Sequence, residues 1–302
     1  MMKMTVVFLL VAIGLGNVFA QDANEGATGM AFLKVGVDAR AAGMGEAVTA
    51  VANNANAAFW NPAGILGAER SNLQLTHNAW LLDVDGQAGA VVFKRQKSAI
   101  GLHVQTMGVA GIPVRDLPTD VPLDETSATY SAMGITYARP FGERLEAGLN
   151  LRYLFEKIFV YTARGYAADL GLRYHFNPQI TVAAALQHLG SMNELRSAAT
   201  KLPTTFRAGG AYQPAAAFGP ATVLLAADLV YPLEENPRVH LGGEAAFHET
   251  LMLRLGYATG YEARGLSFGV GIRKTVFRFD YSYSPFDSDL GESQRFTVYL
   301  GI

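Results

Sequence analysis

Residues 143–156, ERLEAGLNLRYLFE, alternate between apolar and polar side chains. Leu145, Leu149 and Leu151 fall on one face of an extended chain, whereas Glu146 and Arg152 fall on the other. A period of two is the pattern of a β-strand with one apolar face and one polar face. This stretch therefore predicts a strand that separates two chemically different environments.

The same alternation recurs through residues 71–302. It predicts about fourteen strands, which start near Ser71, Gln87, Ser98, Thr129, Arg144, Tyr166, Gln179, Thr204, Ala221, Arg238, Thr250, Gly265, Thr275 and Ser293. An even strand number in this range is typical of single-chain outer-membrane barrels. The predicted fold class is therefore all-β, a transmembrane antiparallel β-barrel of about fourteen strands. The alternative is a soluble β-sandwich or propeller, in which the apolar face would form a core.

The connections between the predicted strands alternate between short and long. The short ones are residues 95–97, 140–143, 177–178, 248–249 and 274–275, whereas residues 108–126 and 190–203 are the longest of the intervening ones. Outer-membrane barrels have short periplasmic turns and longer extracellular loops. This comparison predicts that the first strand runs outward and that both termini lie in the periplasm.

The N-terminus has the features of a secretory signal peptide. Lys3 precedes an apolar run at residues 6–15, and Val18-Phe19-Ala20 matches a small-residue cleavage site before Gln21. We therefore expect a signal peptide at residues 1–20, a separate N-terminal segment at 21–70 and a barrel at 71–302. The expected location is the outer membrane of a Gram-negative-type bacterium, in contact with its lipid.

Composition excludes several classes of function. The net charge is −2, which argues against nucleic acid as the main partner. The chain has no cysteine, and its six histidines are not spaced as metal ligands, so neither a cofactor nor a metal is expected. His240 and Ser267 could act as base and nucleophile only if the fold brought them together. The chain is therefore not expected to be an enzyme.

Residues 40–66, RAAGMGEAVTAVANNANAAFWNPAGIL, form the one long stretch after the signal peptide that does not read as strand. The side chains are mostly small, and a structureless stretch of this length is uncommon in a compact domain unless it is functional. We predict that it plugs the barrel lumen, with an ordinary surface loop as the alternative. The residues expected to matter most are Arg40, Gly43, Gly45, Trp60, Asn61, Pro62, Ala63 and Gly64.

Charged residues recur on the polar face of the predicted strands. They are Asp169, Arg173, Arg207, Asp228, Glu244, Arg254, Arg273, Arg278 and Asp280. Their signs are nearly balanced, so a network of paired charges is expected inside the barrel. Such a network could satisfy buried charge against a plug, or it could serve selectivity or gating.

Residues 38–65, DARAAGMGEAVTAVANNANAAFWNPAGI, resemble the N-terminal signature of the PorV/PorQ proteins, barrels associated with the type IX secretion system. They resemble the FadL hydrophobic-compound transporters more remotely. Later stretches fit the same pattern: residues 168–171, 187–190, 202–203, 241–244 and 280–281. The resemblance implies a fourteen-stranded, FadL-like barrel with an N-terminal hatch. In the transporters that hatch carries an Asn-Pro-Ala element, which corresponds here to Asn61, Pro62 and Ala63.

The chain departs from this family in one respect, since its loops are short for a secretion component that grips large cargo. It also ends in Ile302 rather than in the aromatic residue that is commonest at the end of outer-membrane barrels. The resemblance favours an accessory of protein secretion or surface attachment, whose partners would be secretion-system components or secreted cargo. The alternative is a FadL-like channel for uptake of a hydrophobic small molecule through the lumen.

Overall fold

A computed structural model describes residues 28–115, 121–196, 199–215, 219–287 and 289–302. The expected signal peptide lies outside these residues. Over the described parts of the chain the fold contains fourteen strands, β1 to β14: Asn72–Ala79, Asp85–Arg95, Ser98–Val114, Asp124–Phe141, Leu145–Ile158, Tyr161–His175, Ile180–Met192, Thr205–Tyr212, Ala221–Pro232, Arg238–Phe247, Leu251–Ala258, Leu266–Lys274, Phe277–Pro285 and Glu292–Gly301.

Each strand pairs in antiparallel fashion with its sequence neighbours, and β1 also pairs with β14. The sheet is therefore a closed barrel, which leaves no unpaired strand edge. The predicted all-β barrel and its strand number are confirmed. We call the end of the barrel where Ser71 and Ile302 are hydrogen-bonded the near end, and the opposite end the far end.

The two faces of the wall differ as the alternation predicts. Large apolar side chains such as Leu75, Leu102, Leu151 and Phe279 are about half exposed on the outward face. Polar side chains of the same strands are buried on the inward face, for example Gln74, Asn150, Arg152, Asp169 and Asp280. The wall is thus apolar outside and polar inside, the reverse of a soluble β-barrel.

The prediction for the longest connection was wrong. Residues 108–126 were expected to form a loop, but β3 continues to Val114 and β4 already begins at Asp124. A register shift between Val109 and Ile112 breaks the alternation there, so the pattern of period two disappears although the strands continue. A second bulge lies between β6 and β7, where Gln187 and His188 together face Asp169.

The N-terminal segment, residues 28–70, contains four short helical elements. These are the 3-10 turn Ala31–Lys34, the helices Ala39–Gly43 and Ala57–Trp60, and the 3-10 turn Pro62–Gly67. None of the helices in the described ranges is long and apolar enough to cross a membrane.

This segment runs through the barrel from one end to the other. Near its start the amide of Gly29 donates to the carbonyl of Lys201, in the far-end connection between β7 and β8. At its finish Arg70 leads into β1 at the near end. Ile302 lies at the near end, but the start of the mature chain lies outside the described residues, so the expectation that both termini lie in the periplasm stays a prediction.

The hydrophobic core lies between the segment and the wall. One cluster surrounds Met44, Val48, Trp60 and Ile65 and includes wall residues such as Val92. A second cluster joins Met30, Phe32 and Leu33 to Met107 and Leu154 of the far half of the wall. Leu154 therefore faces inward and is buried, an apolar exception on a polar face that the segment covers.

The apolar outward face leads to a first prediction. Leu149→Arg or Leu225→Arg should each lower the free energy of unfolding by roughly 2–4 kcal/mol, because a guanidinium near the midplane of a lipid-facing barrel wall loses its hydration. The measurement is denaturant titration of the protein refolded in lipid or detergent. Glu143→Arg, in the connection between β4 and β5, is the control and should be neutral. Equal tolerance of arginine at Leu149, Leu225 and Val270 would contradict a lipid-facing wall.

Candidate functional site

Asp38 and Trp60 connect the two halves of the N-terminal segment. One carboxylate oxygen of Asp38 accepts from the amide of Ala41 at 3.0 Å, and the other accepts from the indole nitrogen of Trp60 at 2.9 Å. The guanidinium of Arg207, from the wall, lies 5.1 Å from the ring of Trp60. Trp60 thus connects two parts of the segment to each other and also contacts β8.

The Asn61-Pro62-Ala63 element forms a tight corner against the wall. The side-chain oxygen of Asn61 accepts from the amide of Ala63 at 3.1 Å and caps the turn that Pro62 begins. The side-chain nitrogen of Asn61 donates to the carbonyls of Thr49 and of Leu172 in β6. A single amide therefore fixes this corner to another part of the segment and to a strand.

Glycines in the wall allow the backbone of the segment to approach closely. A methyl group on Gly148 would lie 2.4 Å from the backbone of Pro62 and Ala63, and one on Gly171 would overlap Asn61. On the other side of the lumen, a methyl group on Gly256 would overlap Gly45, whose φ is +62°. The backbone of the segment therefore contacts the sheet where no side chain intervenes.

Three other small residues of the predicted plug motif serve the same packing. Gly43 lies against the backbone of Gly269, and a methyl group on Gly64 would collide with the carbonyl of Ala52. Ala63 is completely buried. Small size at these positions is therefore explained by packing.

Two adjacent glycines of β10 provide a matched test of this packing. A methyl group on Gly242 would lie 2.5 Å from the carbonyl oxygen of Met44, whereas one on Gly243 would meet only Leu225, at 3.7 Å. We expect Gly242→Ala to lower the unfolding free energy by about 1–3 kcal/mol, the usual cost of overpacking. It should also speed hydrogen exchange at the amides of residues 41–47.

Gly243→Ala should leave both the unfolding free energy and the exchange rates unchanged. Unchanged hydrogen exchange at residues 41–47 in the Gly242→Ala protein would show that Met44 is not in close contact with β10.

A chain of five charged side chains links the segment to the wall. Arg40 makes two hydrogen bonds to the carboxylate of Glu244, both of 2.9 Å. Arg254 donates to Glu244 at 2.6 Å and to Asp280 at 2.7 Å, and Arg278 donates to Asp280 at 2.8 Å. The chain crosses from the segment through β10 and β11 to β13.

This five-membered chain contains three cations and two anions. Glu244→Gln should therefore destabilise more than Arg254→Met. Loss of the carboxylate leaves Arg40 and Arg254 short of counter-charge and should cost about 3–5 kcal/mol, whereas loss of Arg254 leaves one ion pair on each side. Denaturant unfolding of both variants measures the order. The double variant Arg40→Met, Glu244→Gln should recover part of the loss, and a larger cost for Arg254→Met would contradict the arrangement.

Asp228 binds the turn that follows the first helix of the segment. Its carboxylate accepts from the amides of Val48 and Thr49 at 2.9 Å and from the hydroxyl of Thr49 at 2.6 Å. Arg207 lies 3.3 Å from the same carboxylate and donates to the carbonyl of Glu46 at 2.7 Å. This pair therefore satisfies backbone groups of the segment that no helix satisfies.

Asp169 and Arg173 serve the opposite side of the lumen. Asp169 pairs with Arg152 at 2.7 Å and accepts from the amide of His188 in the β6–β7 bulge at 2.7 Å. Arg173 pairs with Glu146 at 2.5 Å and donates to the carbonyl of Ala52. Both predicted residues thus support the segment or the wall beside it.

Arg273 differs from the other predicted charges. It pairs with Glu69 at 3.2 Å, and both side chains are exposed at the near end, so this pair is weak. Among the pairs that the sequence interpretation missed are two that involve the segment: Glu46 with Arg264 at 2.8 Å, and Lys34 with Glu235 at 2.6 Å. The signal that could have found them is a charged residue in a segment otherwise poor in charge, since such a residue needs an opposite charge in the wall.

Glu46 remains ionised over the whole physiological pH range. Burial raises its pKa, but the guanidinium of Arg264 and the neighbouring His240 and Arg295 outweigh burial and lower the pKa to about 2. Because the pKa in the folded state lies below the ordinary value of 4.5, its contribution to stability is present above pH 4.5 and is lost as the pH falls toward 2.

Cavities adjoin the segment at both ends of the barrel. The far-end cavity lies beneath the first residues of the segment and is lined by Leu33, Val35, Phe59, Trp60 and Pro232 together with Arg152, Arg207 and His188. The near-end cavity opens beside Arg40, Arg173, His175, Gln179 and Glu244 and is polar. The segment thus separates a far-end chamber with both apolar and charged lining from a polar vestibule at the near end.

The described residues contain no cluster of three or more side chains suited to hold a metal ion. Ser267 accepts a hydrogen bond from the amide of Gly45, and His240 bonds to Tyr261. The two side chains considered as a catalytic base and nucleophile, His240 and Ser267, therefore each bond to another group.

Comparison with known proteins identifies the fold. No family model and no curated protein matches this sequence. Among solved structures, the chain is similar to the CymD monoaromatic hydrocarbon channel, with 13% identity over 88% of this chain and 96% of that one and a TM-score of 0.61. It is similar to the toluene transporter TodX of P. putida, with 12% identity over 88% and 96% and a TM-score of 0.60. It is also similar to a FadL homologue of Pseudomonas aeruginosa, with 11% identity over 87% and 97% and a TM-score of 0.59.

These likenesses show a FadL-like fold. The structural neighbours are channels and transporters rather than enzymes. None of the comparisons supports the resemblance to PorV/PorQ proteins on which the expectation of a secretion role depended.

Proposed function

We propose that the protein is an outer-membrane channel for a hydrophobic small molecule, in which the N-terminal segment is the plug. The main support is a barrel of FadL-like fold whose lumen is filled by a segment, with an apolar cluster and a partly apolar chamber at the far end. Two of the structural neighbours are a monoaromatic hydrocarbon channel and a toluene transporter. An outer face rich in exposed leucine and aromatic residues fits contact with lipid.

The segment consists of two parts that are held differently. Residues 38–67 are held by the buried ion pairs and by hydrogen bonds from several strands. Residues 28–37 lie against the wall through Met30, Phe32 and Leu33, and their polar contacts with it are fewer: one ion pair from Lys34 and single hydrogen bonds at Gly29 and Gly36. In the proposed channel, residues 38–67 are the fixed part of the plug and residues 28–37 are the part that an apolar ligand displaces.

The far-end chamber suits a ligand of this class. Leu33, Val35, Phe59 and Trp60 supply apolar and aromatic surface, and Lys34 and Glu46 are the charged segment residues in the same lining. The guanidinium groups of Arg152 and Arg207 lie on the opposite side, toward the wall. In the proposal, the ligand enters from the far end, which is extracellular, and the polar vestibule at the near end opens to the periplasm.

The second candidate function is a secretion accessory, and the observation that favours it is the N-terminal signature at residues 38–65. The contacts give that signature a packing role: Asp38, Arg40, Trp60 and Asn61 hold the segment in the lumen. Most connections at the far end are short, with β9–β10 spanning only residues 233–237, and the longest, β7–β8, spans residues 193–204, so little rim is available to dock a large cargo.

Deletion of the gene distinguishes the two functions. A hydrophobic-compound channel predicts slower uptake of labelled toluene and slower growth on an apolar carbon source, with an unchanged set of secreted proteins. The complementing variant Leu33→Asp places a charge in the chamber and should fail to restore uptake, whereas Leu233→Asp, exposed in the β9–β10 connection, should restore it. Normal uptake together with exported proteins retained in the periplasm would support the secretion accessory and reject the channel.

A further inference from the structure

Arg295 is a buried cation that forms no direct ion pair with any described residue; the carboxylates of Glu46 and Asp38 act on it only from a longer distance. It lies in β14 and is completely buried. Its Nε atom donates to the carbonyl of Gly36 at 3.1 Å, and its guanidinium lies 5.1 Å from the ring of Trp80. Its two terminal nitrogens, Nη1 and Nη2, are buried and make no hydrogen bond within the described part of the chain.

The neighbouring carboxylates are already engaged. Both oxygens of Asp38 are taken, by the amide of Ala41 and the indole of Trp60. Glu46 pairs with Arg264. An isolated buried cation is costly unless an anion or several acceptors accompany it, and a carbonyl and an aromatic ring neutralise only part of its charge.

Two hydroxyl groups beside Arg295 are also without partners. Ser282 of β13 stands directly opposite Arg295, and Ser284 is the next residue on the same face. Directly opposite side chains of antiparallel strands are about 4.5–5.5 Å apart at Cβ. The hydroxyls of Ser282 and Ser284 are buried and unpartnered among the described residues, as are the two guanidinium nitrogens. Four groups able to donate a hydrogen bond therefore occupy nearby positions on the inner face of β13 and β14.

A cavity reaches the immediate neighbours of this patch. Its lining includes Gly36, which accepts from Arg295, and Asn78, which stands directly opposite Arg295 on β1. The other lining side chains, among them Thr76, Gln87 and Gln105, carry no charge. The lining of this cavity thus contains no carboxylate that would repel a small anion next to the patch.

We propose that Arg295, Ser282 and Ser284 form a binding site for one small monovalent anion, of the size of chloride or of a formate carboxylate. The anion accepts hydrogen bonds from the guanidinium nitrogens and from the two hydroxyls, and it neutralises the buried charge. Because Arg295 also holds Gly36, the anion fixes the segment at the boundary between residues 28–37 and the part that follows. The proposal does not depend on what the channel transports.

The test is the dependence of thermal unfolding on chloride. The full chain in detergent is moved from sodium gluconate to sodium chloride at constant ionic strength, and its unfolding is followed by circular dichroism. An anion that binds only the folded state should raise the midpoint by several degrees in a saturable way. Sodium formate is the second arm: an equal rise would show that the site also accepts a carboxylate, and no rise would restrict it to halide.

Variants assign the effect to the site. Arg295→Met should abolish the chloride dependence, while Arg273→Met, which removes the exposed near-end guanidinium, should retain it in full. The double variant Ser282→Ala, Ser284→Ala keeps the charge and should shift the half-saturating chloride concentration upward by about tenfold, the equivalent of one lost interaction of about 1.4 kcal/mol. This double variant also tests the site if the Arg295→Met protein does not fold.

Crystals grown in bromide give a direct readout. The expected result is an anomalous peak within hydrogen-bonding distance of the Arg295 guanidinium. Equal midpoints in gluconate and chloride, or a chloride dependence that persists in Arg295→Met, would overturn the proposal. Bromide-soaked crystals with no peak at Arg295 would do the same and would leave water as the partner of these groups.

Discussion

Hydrogen bonding between the inner wall of the barrel and the backbone of the N-terminal segment is the constraint on which the rest of the structure depends. The segment has little regular secondary structure, so many of its carbonyls need donors from elsewhere. Wall side chains supply them: Arg173 donates to Ala52, Gln187 to Phe59 and Arg207 to Glu46. The same side chains would otherwise be polar groups facing an empty lumen. The segment and the wall therefore satisfy each other's hydrogen-bonding groups. The ion pairs fix the position of the segment more than they stabilise the fold.

The fold was largely predictable from sequence because one physical rule governs every strand. A residue that faces lipid must be apolar and its neighbour must not be, so the period of two marks each strand directly. The prediction failed where the rule lapses. Around Val109 a register shift moves side chains out of alternation, and the strands were therefore ended too early. The start of β6 was placed at Tyr166 instead of Tyr161 for a related reason, since the residues before Tyr166 leave the alternating pattern near the strand end.

The site was less predictable, because alternation gives the face of a residue but not its partner. Asp280, Arg254 and Glu244 were all assigned to the inner face, yet nothing in their spacing shows that Arg254 bridges the two carboxylates. Partners depend on the register of neighbouring strands and on how the segment folds inside the barrel. Asn61 illustrates the second factor: its motif predicts a tight corner, but its contact with Leu172 depends on which strand lies beside that corner.

The passage of the N-terminal segment through a closed barrel constrains the order in which the protein can assemble. The segment precedes every strand in the chain, and the last strand pairs with the first. Once that seam has formed, the segment could enter only by threading through an end of the cylinder, past glycine-lined surfaces that leave no clearance. The simplest order is that the strands wrap around the segment and close last at β1 and β14. The bond from the amide of Ala39 to the hydroxyl of Thr297 in β14 would then form as the seam closes, so that the segment serves as an internal template for the barrel.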